Sequence, residues 1–290
     1  MSAAPTTMST APTTMSTAPT TPSRPVAHGA LESALRDARA QGRKLLVPYI
    51  TGGLGTDWCD TLRAVAAAGA DAIEIGIPFS DPVMDGPTIQ RASDMALRAG
   101  ATPQSIFDAL RYVDAGVPLA VMTYANIAFH MGWERFSAQL HAAGVVAAIL
   151  PDLPLEEAGD WCAAADAHGV ETVLLAAPTA PDERLPRVCA RARGFVYAVG
   201  LLGVTGARES LAASALVIAR RLKAVTDVPV LVGVGIGSPA QAVEVCASAD
   251  GVVIGSVVVQ CMLDGGGPHD VAELVRGYRA ALDAAYPPRA

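Results

Sequence analysis

The chain has 290 residues, of which 51% are hydrophobic and 17% charged, and its formal net charge is −7. This length suits one large single-core domain, and the scattered basic residues argue against a nucleic-acid partner. The five cysteines show no CxxC spacing, which argues against a zinc site or a disulfide framework and favours free thiols in a reducing cytoplasm.

The first 27 residues form a low-complexity segment. APTTMST occurs at Ala4–Thr10 and again at Ala11–Thr17. A segment rich in Thr, Ser, Pro and Ala buries too little apolar surface to offset its ordering entropy, so we predict a disordered tail at residues 1–27 before a catalytic domain at residues 28–290. We expect no secretory signal and no membrane span, because a basic start, an apolar core and a run of ~18 apolar residues are all missing.

Beyond the tail, apolar runs alternate with alanine-rich segments of helical period. The strand-like runs are Leu45–Ile50, Ala72–Ile77, Leu119–Met122, Val145–Leu150, Glu171–Leu175, Phe195–Val199, Val228–Val234 and Gly251–Ile254. The helical segments are Thr56–Ala68, Pro103–Ala115, Trp133–Ala143, Glu156–His168, Ala180–Arg191, Ser210–Val225, Pro239–Ala247 and Pro268–Ala285. Strands that are each followed by a helix predict a (β/α)8 TIM barrel in preference to a six-stranded doubly wound sheet. Neither GxGxxG nor a Walker A sequence supports a dinucleotide or NTP site.

The segment IEIGIPFSDPVMDGPTIQ at residues 73–90 contains three acids in a chemically informative setting. Glu74 lies within an apolar strand, where a carboxylate must be paired, hydrogen-bonded or used in chemistry. Asp81 and Asp85 follow on a loop rich in proline and glycine. Pairing with a neighbouring base is the alternative for Glu74, and ordinary turn formation is the alternative for Asp85. We expect Asp81 to cap or brace the loop.

In a TIM barrel the active site lies where the strands lead into the following loops. The polar residues expected there, besides the acids of the second strand, are Tyr124, Asn126, Asp152 and Tyr197. Histidines fall mostly on or beside helices, with His130 in the loop after the third strand, and none is assigned a catalytic role.

Three glycine-rich loops suggest an anion site across the barrel mouth. Glycines follow the sixth strand at Gly203–Gly206, the seventh at Gly233–Gly237 and the eighth at Gly255. Glycine lets backbone N–H groups approach a ligand, and a short helix starting near Ser256 would point its positive end inward. We expect these donors and the Ser256 hydroxyl to bind phosphate, with tight turns that bind no ligand as the alternative.

Seven sequence blocks in the same order carry a family resemblance. The segment at residues 73–90 resembles the signature of the tryptophan synthase alpha subunit family, with its strand acid followed by a PFSDP–x–x–DGP–x–I–Q loop. The blocks that extend the resemblance are VPYITGG, MTYAN, PDLPLEE, GVTGAR, GVGIG and IGS. Together they cover the chain from Leu31 to Tyr286.

The resemblance implies a retro-aldol cleavage of indole-3-glycerol phosphate to indole and glyceraldehyde 3-phosphate, without a metal or cofactor in this chain. Glu74 and Asp85 match the family's catalytic acids, and Tyr197 matches the tyrosine beside the glutamate. Glu74 would both give and take a proton, while an anionic Asp85 would stabilise positive charge on the indole ring. The substrate-binding residues that the match implies are Tyr49, Met122 and Tyr124 at the indole, and Thr205, Gly206, Gly235, Gly255 and Ser256 at the phosphate.

The resemblance also implies a partner, a PLP-dependent tryptophan synthase beta subunit in an alpha2-beta2 heterotetramer. The PLP would belong to the partner, and the loops after the second, third and sixth strands would dock it. A stand-alone lyase that releases free indole and a non-catalytic paralogue that activates a beta subunit are the alternatives. The chain departs from the common family pattern at Gly200–Leu202, at Gly52–Gly55 and at Val83-Met84. These departures lie in loops expected to cover the ligand or face the partner.

Overall fold

Within the described residues, 28–200, 207–233 and 235–289, eight parallel strands form a closed barrel in chain order. For residues 207–213 this computed structural model describes the backbone alone. The strands are β1 Leu45–Thr51, β2 Ile73–Gly76, β3 Leu119–Met122, β4 Ala147–Ile149, β5 Glu171–Ala176, β6 Val196–Ala198, β7 Val230–Val232 and β8 Gly251–Ile254. Each predicted strand overlaps an observed one, so the predicted (β/α)8 fold is confirmed. The predicted tail lies outside the described residues.

Helices surround the barrel. They are α1 Ala30–Ala40, α2 Trp58–Ala67, α3 Pro87–Arg98, α4 Pro103–Leu110, α5 Ala125–Met131, α6 Trp133–Ala142, α7 Gly159–Ala167, α8 Arg184–Arg191, α9 Ala207–Lys223, α10 Pro239–Cys246, α11 Ser256–Leu263 and α12 Pro268–Ala285. Among the helices described here, none is both long and apolar enough to cross a bilayer.

Helices α1, α3 and α5 were not predicted. Helix α3 begins inside the DGP motif, where Pro87 occupies the first helical turn, a position that suits its fixed φ angle. Helix α5 begins directly after Tyr124, so His130 lies on a helix and not in the loop that the sequence suggested.

Alternation along the strands divides their side chains between two packing layers. Outward side chains such as Ile75 and Val121 pack against the helices, whereas inward ones such as Val47 and Leu231 fill the barrel. Both layers are buried, which explains why the strands read as continuous apolar runs. Glu74 lies on the inward face, in register with Tyr49 of β1 and Ala120 of β3.

Helix α1 closes the end of the barrel at which the strands begin. Its Leu31 and Glu32 amides donate hydrogen bonds of 2.7 and 2.9 Å to the Glu171 carboxylate at the start of β5. The opposite end, where the strands lead into loops, is therefore the open one.

Candidate active site

Glu74 is buried inside the barrel on β2, with 1% of its surface exposed. Its Oε2 atom has no hydrogen-bond partner among the described residues. Burial, and secondarily the nearby Asp85 carboxylate, raise the pKa of Glu74 from 4.5 to about 8. Glu74 is thus a carboxyl whose proton can be gained or lost near neutral pH.

Asp85 faces Glu74 from the loop between β2 and α3. The loop continues into α3 through Gly86, the N-cap residue, and the Asp85 carbonyl accepts a 2.8 Å hydrogen bond from the Gln90 side chain. Burial raises the pKa of Asp85, and a hydrogen bond from the Tyr124 hydroxyl opposes this rise by stabilising the ionised form. The two acids therefore have different surroundings: Tyr124 assists ionisation of Asp85, whereas no described residue hydrogen-bonds the Glu74 Oε2 atom.

Tyr49 on β1 and Tyr197 on β6 bring phenol groups to the same interior. Gly76 and Gly233 leave space for them, because a Cβ atom at Gly76 would collide with the Tyr49 hydroxyl and one at Gly233 with the Tyr197 hydroxyl. Burial, with contributions from the negative charges of Glu74 and Asp85, raises both phenol pKa values far above the ordinary range. Both side chains are therefore neutral hydrogen-bond donors at physiological pH.

An apolar wall extends from β3 to the loop after β2. Met122 is partly buried and packs against the residues inside the barrel. The Tyr124 ring stacks on Phe79, with centroids 5.0 Å apart and an interplanar angle of 28°. Two flat rings and a methionine beside a pair of acids suit a planar aromatic group.

The residues predicted to bind phosphate end β7 and β8. Gly235 is exposed with a φ angle of 78°, and Gly255 is the N-cap residue of α11, with Ser256 exposed as the first residue of that helix. Gly255 has no side chain to cap the helix, so first-turn amides remain available to an anion. Thr205, Gly206 and the rest of the Gly203–Gly206 loop lie outside the described residues, as do Leu201 and Leu202.

Three other polar residues that the sequence singled out are exposed or bonded to their own surroundings. Asn126 is exposed on α5, and exposed Asp81 accepts a hydrogen bond from the neighbouring Ser80 hydroxyl. The Asp152 carboxylate accepts a 2.8 Å hydrogen bond from the Ala125 amide at the start of α5. Among the residues described, no three His, Cys, Asp or Glu side chains form a group that could hold a metal ion.

The sequence did not reveal the roles of three residues at the site. Gly76 and Gly233 make room for the phenols, and Phe79 supports Tyr124. A glycine at the end of an apolar strand run indicates a close approach of another group, so this signal was present for both glycines. The partner of each glycine depends on barrel register, which a single sequence does not contain.

The arrangement offers an acid–base carboxyl, a second carboxylate, two neutral phenol donors, an aromatic wall and, at the start of α11, amides that no side chain caps. It can bind a planar aromatic group that carries a phosphate and transfer protons to and from carbon or oxygen.

Comparison with known proteins relates this chain to a single family. A family model described as "Tryptophan synthase alpha chain" matches residues 35–275. The tryptophan synthase alpha chain of Thermobifida fusca is 44% identical over 261 residues, which cover 88% of this chain and 96% of that relative. The alpha chain of Streptomyces coelicolor is 44% identical over 254 residues, or 86% of this chain and 93% of the relative.

Solved structures agree with the sequence relatives. A chain of Mycobacterium tuberculosis tryptophan synthase aligns with a TM-score of 0.80 and 37% identity, covering 88% of this chain and 99% of that chain. The tryptophan synthase alpha chain of Legionella pneumophila aligns with a TM-score of 0.77 and 31% identity, covering 89% and 98%. This chain therefore belongs to the tryptophan synthase alpha chain family.

Proposed function

We propose that this chain catalyses the cleavage of indole-3-glycerol phosphate to indole and glyceraldehyde 3-phosphate, with Glu74 as acid and base. The observation that carries the proposal is a buried Glu74 carboxyl with an unpartnered oxygen and a pKa of about 8. A group with this pKa is present in both protonation states near neutral pH. One side chain can therefore supply a proton to carbon and then remove one from oxygen.

The proposed reaction begins when protonated Glu74 donates its proton to C3 of the indole ring. The ring becomes cationic, and an anionic Asp85 stabilises the charge through a hydrogen bond from the ring N–H. Ionised Glu74 then accepts the proton of the hydroxyl on the adjacent side-chain carbon. The O–H electrons form the aldehyde C=O bond while the C–C bond breaks and its electrons restore the indole.

The remaining side chains would bind and orient the substrate. Tyr197 would donate a hydrogen bond next to Glu74, since its hydroxyl stays protonated. Tyr49, Met122 and Tyr124 would enclose the indole. This assignment is supported by their inward or mouth-facing positions and by the stacked rings at the end of β3.

Phosphate would bind at the start of α11, which follows β8, and β1 alone separates β8 from the Glu74 strand. Gly235 and Gly255 would offer amides, and Ser256 would add its hydroxyl and the positive end of the helix. Thr205 and Gly206 are proposed for the same group on the family resemblance. An eight-residue helix with an exposed first residue, Ser256, supports this position.

We further propose that a tryptophan synthase beta subunit binds the loops at the open end, in a cytoplasmic alpha2-beta2 heterotetramer whose PLP belongs to the beta subunit. Val83 after β2 is 80% exposed, and Phe129 on α5 is 69% exposed. Exposed apolar side chains on two neighbouring connections, the loop after β2 and helix α5 after β3, support a protein-docking role.

The test is indole production from indole-3-glycerol phosphate, with and without a beta subunit, by the wild-type chain and by Glu74→Gln. The matched control is Glu244→Gln, which changes an exposed glutamate on α10. Glu74→Gln should lose indole release and Glu244→Gln should retain it. Undiminished activity of Glu74→Gln would overturn the assignment of Glu74.

The same assay separates the alternatives. Slow turnover that rises when the beta subunit is added supports the partnered enzyme, whereas rapid indole release by the chain alone supports a stand-alone lyase. A wild-type chain that produces no indole but activates a beta subunit would be a non-catalytic paralogue.

A further inference from the structure

The loop that carries Asp85 is held by the Tyr124 hydroxyl. The Met84 amide donates a 2.9 Å hydrogen bond to the Tyr124 Oη atom, and the same hydroxyl favours the ionised form of the neighbouring Asp85 carboxyl, which lowers its pKa. Tyr124 is 5% exposed and its ring stacks on Phe79 of the same loop. The phenol thus contacts the loop at Phe79 and at Met84, the residue directly before Asp85.

Tyr124 is fixed in turn by the first turn of α5. It is the N-cap residue of this helix, and its carbonyl accepts a 3.0 Å hydrogen bond from the Ile127 amide. The next amide, that of Ala125, donates to Asp152 Oδ1 at 2.8 Å. Asp152 follows β4, so the cap comes from a neighbouring loop. Helix α5 has seven residues, and a helix this short depends strongly on its terminal contacts.

We propose that Asp152 is a positioning residue, which fixes the first turn of α5 and so holds Tyr124 where its hydroxyl orients Asp85. Asp152 acts through Tyr124 and does not touch the substrate. The inference rests on the proposed function, in which Asp85 is the group that faces the indole N–H.

We call the path of contacts from Asp152 through Tyr124 to Asp85 the relay. The direction in which the pKa of Asp85 changes distinguishes this relay from a direct effect of the Asp152 charge. The titratable groups that face Asp85 are Glu74, Tyr49, Tyr124 and Tyr197. Loosening the Tyr124 hydrogen bond removes stabilisation of the ionised carboxylate and raises the pKa of Asp85. Removing the negative charge of Asp152, if it acted directly through space, would instead lower that pKa.

The experiment measures the pKa of Asp85 by carboxyl ¹³C NMR in the full chain labelled at aspartate, with the signal assigned by Asp85→Asn. The variants are Asp152→Ala, Asp152→Asn, which keeps an acceptor oxygen, and Tyr124→Phe. The matched control is Asp114→Ala, an exposed aspartate that accepts a 3.0 Å hydrogen bond from the Gly116 amide just before β3, at the opposite end of the barrel.

Tyr124→Phe should raise the pKa of Asp85 by about one unit, and Asp152→Ala should raise it by about half as much. Asp152→Asn should restore a value near wild type, and Asp114→Ala should leave it unchanged. In the cleavage assay, Asp152→Ala should lower kcat/KM about threefold to tenfold, the size expected for loss of a helix cap. Combined with Tyr124→Phe, it should add little, because both changes interrupt the same relay.

A fall or no change in the pKa of Asp85 in Asp152→Ala would overturn the relay. So would equal losses of kcat/KM when Asp152→Ala is introduced into the wild-type chain and into the Tyr124→Phe variant. The NMR readout does not require turnover, so a chain that cleaves no indole-3-glycerol phosphate would refute the proposed function while the relay is still judged by the pKa of Asp85.

Discussion

Replacement of Glu74 by glutamine is expected to make the fold more stable at alkaline pH while it removes activity. The pKa of Glu74 in the folded chain is about 8, against 4.5 for an unperturbed glutamate. Between these values the unfolded chain has released a proton that the folded chain retains, so the free energy of unfolding falls as pH rises. The loss begins near pH 4.5 and is complete above about pH 8. Glutamine cannot ionise, so the Glu74→Gln variant does not undergo this loss of stability.

The size of this effect follows from the shift in pKa. At about 1.4 kcal/mol for each unit, the whole rise corresponds to no more than about 5 kcal/mol. Only part of that range is accessible to a folded-protein experiment. Between about pH 6 and about pH 9 we expect the stability of Glu74→Gln relative to wild type to increase by about 2–3 kcal/mol.

The measurement is urea unfolding of wild type, Glu74→Gln and Glu244→Gln at both pH values, with the m-value checked for constancy. The exposed Glu244 control should follow wild type at each pH. A Glu74→Gln variant whose advantage does not grow with pH, or which is less stable than wild type at about pH 9, would refute the reasoning. Either result would mean that a partner or solvent stabilises the ionised carboxylate of Glu74.

The other expected outcomes concern the end of the barrel that α1 closes, the space that Gly233 leaves for the Tyr197 phenol, and the proposed beta-subunit surface. Glu171→Ala removes the acceptor of two buried amide hydrogen bonds, so urea unfolding should show a loss of about 2–4 kcal/mol. Gly233→Ala places a Cβ atom against the Tyr197 hydroxyl, and kcat for indole release should fall by more than about tenfold. Phe129→Asp puts a charge on the proposed beta-subunit face, so the beta subunit should activate cleavage less while basal cleavage persists.

The Gly233 and Phe129 substitutions each have a control elsewhere in the chain. Gly159→Ala has open space around the new Cβ atom and should keep full activity. An equal fall in kcat for Gly159→Ala and Gly233→Ala would show that the collision with the Tyr197 hydroxyl is not the cause. Tyr112→Asp changes an 83% exposed aromatic residue at the other end of the barrel and should leave activation intact. Unchanged unfolding of Glu171→Ala would show that the amides find other partners.

The barrel was predictable because its strands are short apolar runs bounded by glycine and proline, and these features are local. The short helix α5 was not predictable, because its N-cap residue is Tyr124 and its first amide is capped by Asp152, 27 residues away. A seven-residue helix with a distant cap leaves no local signal of its start.

The site likewise contains residues that the sequence could identify and contacts that it could not. An acid inside an apolar strand identified Glu74, since burial of a carboxylate requires an explanation at the sequence level. The contact between the Tyr197 phenol and Gly233 depends on the pairing of β6 with β7, and that register exists only in the closed barrel. Likewise, the bond from Met84 to Tyr124 joins two loops whose proximity follows from the pairing of β2 with β3.

Buried acids near the strand starts are paired with cations, whereas Glu74 has an unpartnered oxygen, and this difference bears on its chemistry. Near the strand starts, Asp71 pairs with Arg43 at 2.7 Å and Asp250 with Lys223 at 2.9 Å. A similar cation beside Glu74 would lower its pKa and leave it ionised at neutral pH, unable to protonate carbon. The unpaired oxygen costs stability above the unperturbed pKa, and that same cost keeps a proton available for the substrate. A buried acid whose oxygen the protein leaves unpartnered is therefore well suited to exchange a proton with a ligand.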